Sequence, residues 1–171
     1  GFFYNAGSTA PYYLRFNKNT GELLHSTNIP GHSSSHPSIA INSTGEVAII
    51  LDAYDWGVEP AHIVTRPGAY NQGTNGGFTD LFLMLLDNSY DQIWGTFLGG
   101  PGTQEDPHVC FDGNNNIFFV GEVDWNSSST AANEHLVDPG GGAYYQTTDN
   151  TEDVMIGKFN NSGALVWNTL Y

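Results

Sequence analysis

Repeated antiparallel β-sheet with almost no helix is what the amino-acid sequence predicts, and three observations predict it. Similar segments recur 70 to 73 residues apart along the 171-residue chain. Within each recurrence, apolar and β-branched runs of 5–8 residues alternate with Asn, Asp, Gly and Ser clusters, the pattern of strands and tight turns. The apolar content of 39%, rich in aromatics, is too high for a disordered acidic chain, so the runs are read as packed strands.

The recurrence is explicit in the residues. Leu14–Thr27, Met84–Phe97 and Gly157–Leu170 align so that Phe16, Leu86 and Phe159 correspond, each followed by Asn17, Asp87 or Asn160. Counting on from these places Leu24, Trp94 and Trp167 together. A second block, Pro37–Ile50 against Pro107–Val120, has an offset of 70. A third, Gly68-Ala-Tyr-Asn-Gln against Gly142-Ala-Tyr-Tyr-Gln, has an offset of 74. Drift of this size is what loop insertions between fixed elements produce.

Strands are expected at Tyr12–Asn17, Glu22–Asn28, Ser38–Asn42 and Glu46–Asp52, then at Asp80–Asp87, Gln92–Leu98, His108–Asp112 and Asn116–Val123. The turns Asn17–Gly21, Asp112–Asn115 and Asn160–Gly163 supply the Gly and Asn that positive φ requires. Only Ala131–Val137 reads as helical, and it is short.

Four antiparallel strands per unit in tandem is the pattern of β-propeller blades, which bury their faces only by stacking on neighbours. The expected division is residues 1–10 as the end of a preceding blade or linker, 11–79 and 80–152 as two blades, and 153–171 as the start of a third. Propellers typically close with about 4–8 blades, so the chain is expected to be a segment of a larger propeller, the alternative being copies that assemble around an axis.

The strings that carry the repeat also resemble a known family. Phe97-Leu-Gly-Gly100 closing a strand, Pro67-Gly-Ala-Tyr70, Gly142-Ala-Tyr-Tyr-Gln146, Ile39–Val47 and Gly163–Tyr171 are similar to the bacterial SBBP-type β-propeller repeat. The resemblance implies a secreted or cell-surface protein of the Bacteroidetes, type-nine-secreting kind, with adhesion, scaffold or interaction roles and no shared catalytic residues. The units here are longer, with insertions near 53–66 and 124–141.

Charge narrows the partners. Four basic against 18 acidic residues give a net charge of −14, which repels phosphate backbones and anionic lipid, so neither nucleic-acid binding nor membrane insertion is expected. The run Leu81–Leu86 falls far short of the ~20 apolar residues a membrane span needs. A single cysteine, Cys110, permits no internal disulfide, and its match to Ala40 predicts a buried, inert thiol. The expected partners are other blades of the same polypeptide and a protein or glycan at the cell surface.

Candidate sites follow from the insertions and turns. Asp52-Ala-Tyr54-Asp55-Trp56 matches Glu122-Val-Asp124-Trp125, each just after the last strand of a unit. An aromatic beside carboxylates can stack on a sugar ring and accept its hydroxyl hydrogen bonds; packing of the tryptophans beneath their own loops is the competing reading. Trp94 and Trp167 are expected in the core. His32 and His36 have the spacing of a helical metal pair, but glycine, three serines and Pro37 put them in a loop. Calcium is the one cofactor the oxygen-rich turns suit, with Asp112, Asn114 and Asn116 as ligands, although ordinary hairpin turns explain the same residues. The expected role is non-catalytic display of loops. The alternatives are a propeller enzyme (glycosidase or quinoprotein-like) completed by further blades, and a purely architectural spacer.

Overall fold

The computed structural model describes residues 12–29, 36–54, 63–124, 136–147 and 152–171, and these form an all-β structure. The strands are β1 (Tyr12–Phe16), β2 (Leu23–Asn28), β3 (Ser38–Ile41), β4 (Val47–Tyr54), β5 (Thr79–Leu86), β6 (Gln92–Leu98), β7 (Thr103–Phe111), β8 (Ile117–Asp124), β9 (Glu152–Phe159) and β10 (Leu165–Leu170). All eight strands expected from the alternating runs are present. β7 starts five residues earlier than expected because a bulge between Glu105 and His108 lets the ladder pass Pro107. The expected helix at Ala131–Val137 falls largely outside the described residues, and Val137 pairs as an isolated bridge with Asn168.

Antiparallel neighbours organise these strands into two four-stranded meanders. β3 pairs β4, β4 pairs β5 and β5 pairs β6. The same sequence of pairings joins β7 to β8, β8 to β9 and β9 to β10. A single parallel pair, Thr79 with Thr103, links the meanders, while β1 and β2 form a separate hairpin. The hydrogen-bonded groups are therefore offset by two strands from the 11–79 and 80–152 sequence units.

One device shapes most of the turns. At Asn42, Asp87, Asp112 and Asn160 the side-chain Oδ1 accepts the backbone N–H groups two and four residues on. This satisfies turn donors and fixes the hairpin. The residue three positions on then takes positive φ: Gly45 87°, Tyr90 71°, Asn115 61° and Gly163 86°. The β1–β2 turn holds one residue more, since Asn17 N–H reaches the Glu22 carbonyl and the left-handed position falls on Gly21.

That extra residue corrects the alignment. Arg15 opposes His25, Leu85 opposes Trp94, and Lys158 opposes Trp167. His25, not Leu24, thus occupies the tryptophan position. All three hairpins carry the same bulge, leaving Leu24, Ile93 and Val166 without a cross-strand partner.

Packing divides along the faces of the first meander. One face, with Ala48, Ile50, Leu81, Leu83, Leu85, Trp94 and Leu98, packs against Ile117, Phe119, Val123, Met155, Phe159 and Leu170 of the second. Its other face packs on Tyr13 and Ile29 of the β1–β2 region through Val47, Ile49, Leu51, Phe82, Met84 and Leu86. Burial on both faces explains why β5 is uniformly apolar at Leu81–Leu86 instead of alternating. β8 and β9 alternate buried with more exposed residues, because the described residues cover only one of their faces.

Two straps cross the last strand of each meander in matching ways. Gln72 N–H donates to Thr96 Oγ1 and its carbonyl accepts from Phe97; Gln146 N–H donates to Thr169 Oγ1 and its carbonyl accepts from Leu170. The tyrosines two residues earlier, Tyr70 and Tyr144, donate their hydroxyls to Gln72 and Gln146.

Candidate functional site

The residues that precede the two insertions share one row of the sheet. Tyr54 ends β4 and Asp124 ends β8. In register, Tyr54 opposes Thr79, Thr79 opposes Thr103, and Thr103 opposes Asp124. One row of the sheet thus joins the residues that precede the two insertions, with β5 and β7 between them. Tyr54 is half-buried with its ring edge-on to exposed Phe78 at 6.1 Å, and Asp124 is exposed. Asp55, Trp56 and Trp125 lie outside the described residues.

Beside this row is a titratable cluster that the sequence did not flag. His36 and Asp106, the residues before Pro37 and Pro107, both take positive φ, 57° and 51°. These equivalent residues touch, with His36 Nδ1 2.7 Å from Asp106 Oδ1 and 3.3 Å from buried Asp52 Oδ2. Glu105 adjoins them and opposes Glu122 directly across β7 and β8. Partial burial, then the charges of Asp52, Asp106 and Glu122, push the Glu105 carboxyl up, with His36 opposing. The signal available in the sequence was the shared position before proline, 70 residues apart. Among the described residues no three His, Cys, Asp or Glu side chains converge as a metal-binding group.

The Asp112 turn is closed by its own donors. Asp112 Oδ1 accepts from Asn114 and Asn116 backbone N–H groups, and Oδ2 accepts the Asn116 side-chain amide at 2.7 Å. The Asn116 hydrogen bond is the main cause holding the Asp112 carboxyl below its usual range. Asn116 presents its N–H₂ toward Asp112, so a calcium ion would require that amide to turn over.

Three expected core residues have unlike surroundings. Trp94 is fully buried, donating Nε1–H to the Tyr70 carbonyl at 2.9 Å and packing edge-on to Phe159 at 5.1 Å. Trp167 is only half-buried, edge-on to Phe118 at 6.3 Å. Cys110, expected to be buried, is exposed. It shares the register position of Ala40, whose side chain packs in the core between the meanders; no described residue covers the corresponding face beside Cys110. Its neighbour across the ladder is Phe118.

Among the described residues no helix is long and apolar enough to cross a membrane. No family model matches the chain, and neither does any curated protein.

Proposed function

We propose that the chain is a non-catalytic β-propeller module of the SBBP kind, extracellular or cell-surface in location, that presents its two insertions to a protein or glycan partner. Each meander supplies the four strands of one blade, and β1–β2 supplies the outer half of the blade before them. Blade stacking is supported by equivalent faces packing in the same order twice. The observation that carries the binding role is the row Tyr54–Thr79–Thr103–Asp124, which sets the residues before both aromatic–carboxylate insertions in one line across the sheet, with β5 and β7 between them. A pair of such loops rooted in one row can contact one extended glycan or peptide strand at two points, which a single loop cannot. Glycan-array binding by the wild-type chain, lost in Trp56→Ala and in Trp125→Ala while the fold is retained, is the expected result. A silent array, together with no protein partner captured through these loops, would leave the architectural spacer.

One observation favours the alternative of a propeller enzyme. Glu105, with its raised proton affinity beside the His36 imidazole, has the form of a general acid, and Asp52, Asp106 and Glu122 stand close by. Hydrolysis of chromogenic glycosides that disappears in Glu105→Gln would establish that reading in place of display.

A further inference from the structure

Two strained residues meet where the meanders join. β3 and β7 lie beside each other without sharing a ladder. Side chains bridge this seam: Ser38 Oγ accepts the Val109 N–H at 3.2 Å, and in the following turns Ser43 Oγ donates to Asn115 Oδ1 at 2.9 Å. Where β3 begins, the bridge is His36 with Asp106. Both stand before proline, and both take positive φ, 57° and 51°. Neither is glycine, and a following proline steers a residue toward extended backbone, so each is held against two preferences at once. Such strain persists only where surrounding contacts over-determine it.

The contact made here is between charged groups. His36 Nδ1 lies 2.7 Å from Asp106 Oδ1 and 3.3 Å from Asp52 Oδ2. Among the described residues the titratable groups around the ring are carboxyls from three strands: Asp52 on β4, Glu105 and Asp106 on β7, and Glu122 on β8 opposite Glu105. Partial burial first, then Asp52, Asp106 and Glu122, push the Glu105 carboxyl up, while His36 pulls it down. The Asp52 side chain is fully buried, so solvent and salt screen its pull on the ring less than they screen exposed Asp106. A neutral imidazole keeps one N–H but brings no charge, and it leaves four carboxyls with no cation between them.

We propose that His36 is a pH-sensitive brace between the two meanders: its protonated ring bridges Asp52 and Asp106 and holds both pre-proline residues in the left-handed conformation, and loss of that charge releases them toward extended backbone and loosens the β3–β7 seam. The brace is complete where histidine is charged and is lost as pH rises through the histidine range, about pH 5 to 8. Asp52 and Glu122 stand two residues before Tyr54 and Asp124, so the brace lies close to the strand ends that lead into both insertions. It does not depend on what those insertions bind.

Amide exchange at Val109 reads the seam, because Ser38 holds that N–H from across it. In the full chain, Val109 protection, corrected for the intrinsic exchange rate, should fall by about three- to tenfold between about pH 6 and pH 8. Leu83, inside β5, should change little over the same interval. His36→Gln, which carries no charge at any pH, should leave Val109 at the weaker protection throughout, and His36→Lys, charged throughout, should keep it near the acid level. Glu105 titrates in all three proteins, so a difference between them belongs to residue 36. Where His36→Gln folds poorly by circular dichroism, Asp106→Asn removes the nearer carboxylate instead and should shrink the pH response. Val109 protection that is flat with pH in the wild-type chain, or that falls equally in His36→Gln, would overturn the proposal.

Discussion

The two meanders share pairing order, turn chemistry and hairpin bulges, yet the described residues bury both faces of one and a single face of the other. Leu86 and Phe159 sit at the same strand end before the same kind of turn and are 4% and 0% exposed; Phe16, in that position on β1, is 53% exposed. Local geometry is thus written into each repeat, whereas burial depends on which neighbour is present. Ile39 and Ile41 make the same point at the other end: the β1–β2 hairpin covers the middle of the first meander but not edge strand β3, and both isoleucines stand exposed.

The strongest way to break this comparison is to truncate its matched tryptophans. Trp94→Ala removes a fully buried ring and its hydrogen bond, and should cost about 3–5 kcal/mol in urea unfolding. Trp167→Ala, at the half-covered position, should cost about 1 kcal/mol or less. Equal losses would show that the second meander is covered after all.

A double substitution sharpens the comparison at one seat. His25 packs on Tyr90 at 5.2 Å, whereas in the next interface Trp94 packs on Gly163, so ring size is exchanged between partners. Gly163→Tyr alone should destabilise by about 1–3 kcal/mol through overpacking. Adding Trp94→His, which recreates the His25–Tyr90 pairing, should recover part of that loss as a favourable coupling of about 0.5–3 kcal/mol. Strict additivity in the four-member cycle would mean the two interfaces are not equivalent.

Electrostatics give smaller effects with opposite pH signs. Glu105 and Glu122 oppose each other as like charges, so Glu105→Gln should stabilise by up to about 1 kcal/mol at neutral pH. Because the folded state raises the Glu105 affinity for its proton, unfolding releases that proton more readily, and the penalty grows as pH rises above the ordinary value of 4.5. The gain should therefore shrink toward pH 4. Asp112 has the reverse sign: its lowered folded value contributes stability above 3.8 that is lost as pH falls through it. Asp112→Asn should lower the thermal midpoint slightly at neutral pH and leave it nearly unchanged at low pH, which flattens the acid limb of the profile.

Strand positions and turns were legible in the sequence because both are local. Alternation located Ser38–Asn42 and Asn116–Val123, and each turn announced itself through Asn or Asp followed by a residue able to take positive φ. What sequence did not show depended on partners distant in the chain. The antiparallel ladder runs from β4 into β5 across the 79/80 division of the repeat, since a period fixes spacing without fixing phase. Cys110 reads as a core position by its match to Ala40, but among the described residues no sheet lies over it. His25 was misplaced by one residue because the longer Asn17–Glu22 turn shifts everything after it. The His36–Asp106 contact forms between repeats, not within one, so the pattern of a single repeat does not contain it.

Residue-resolved amide hydrogen exchange tests the central claim most directly, since it reports the free energy of opening for each strand. If stability comes from cover by neighbouring sheets, β5 (Thr79–Leu86) will be the slowest strand to exchange, β9 (Glu152–Phe159) will open sooner despite equivalent hydrogen bonding, and β1 (Tyr12–Phe16) soonest of the three. Matched protection of β5 and β9, or a β1 that outlasts either, would contradict it.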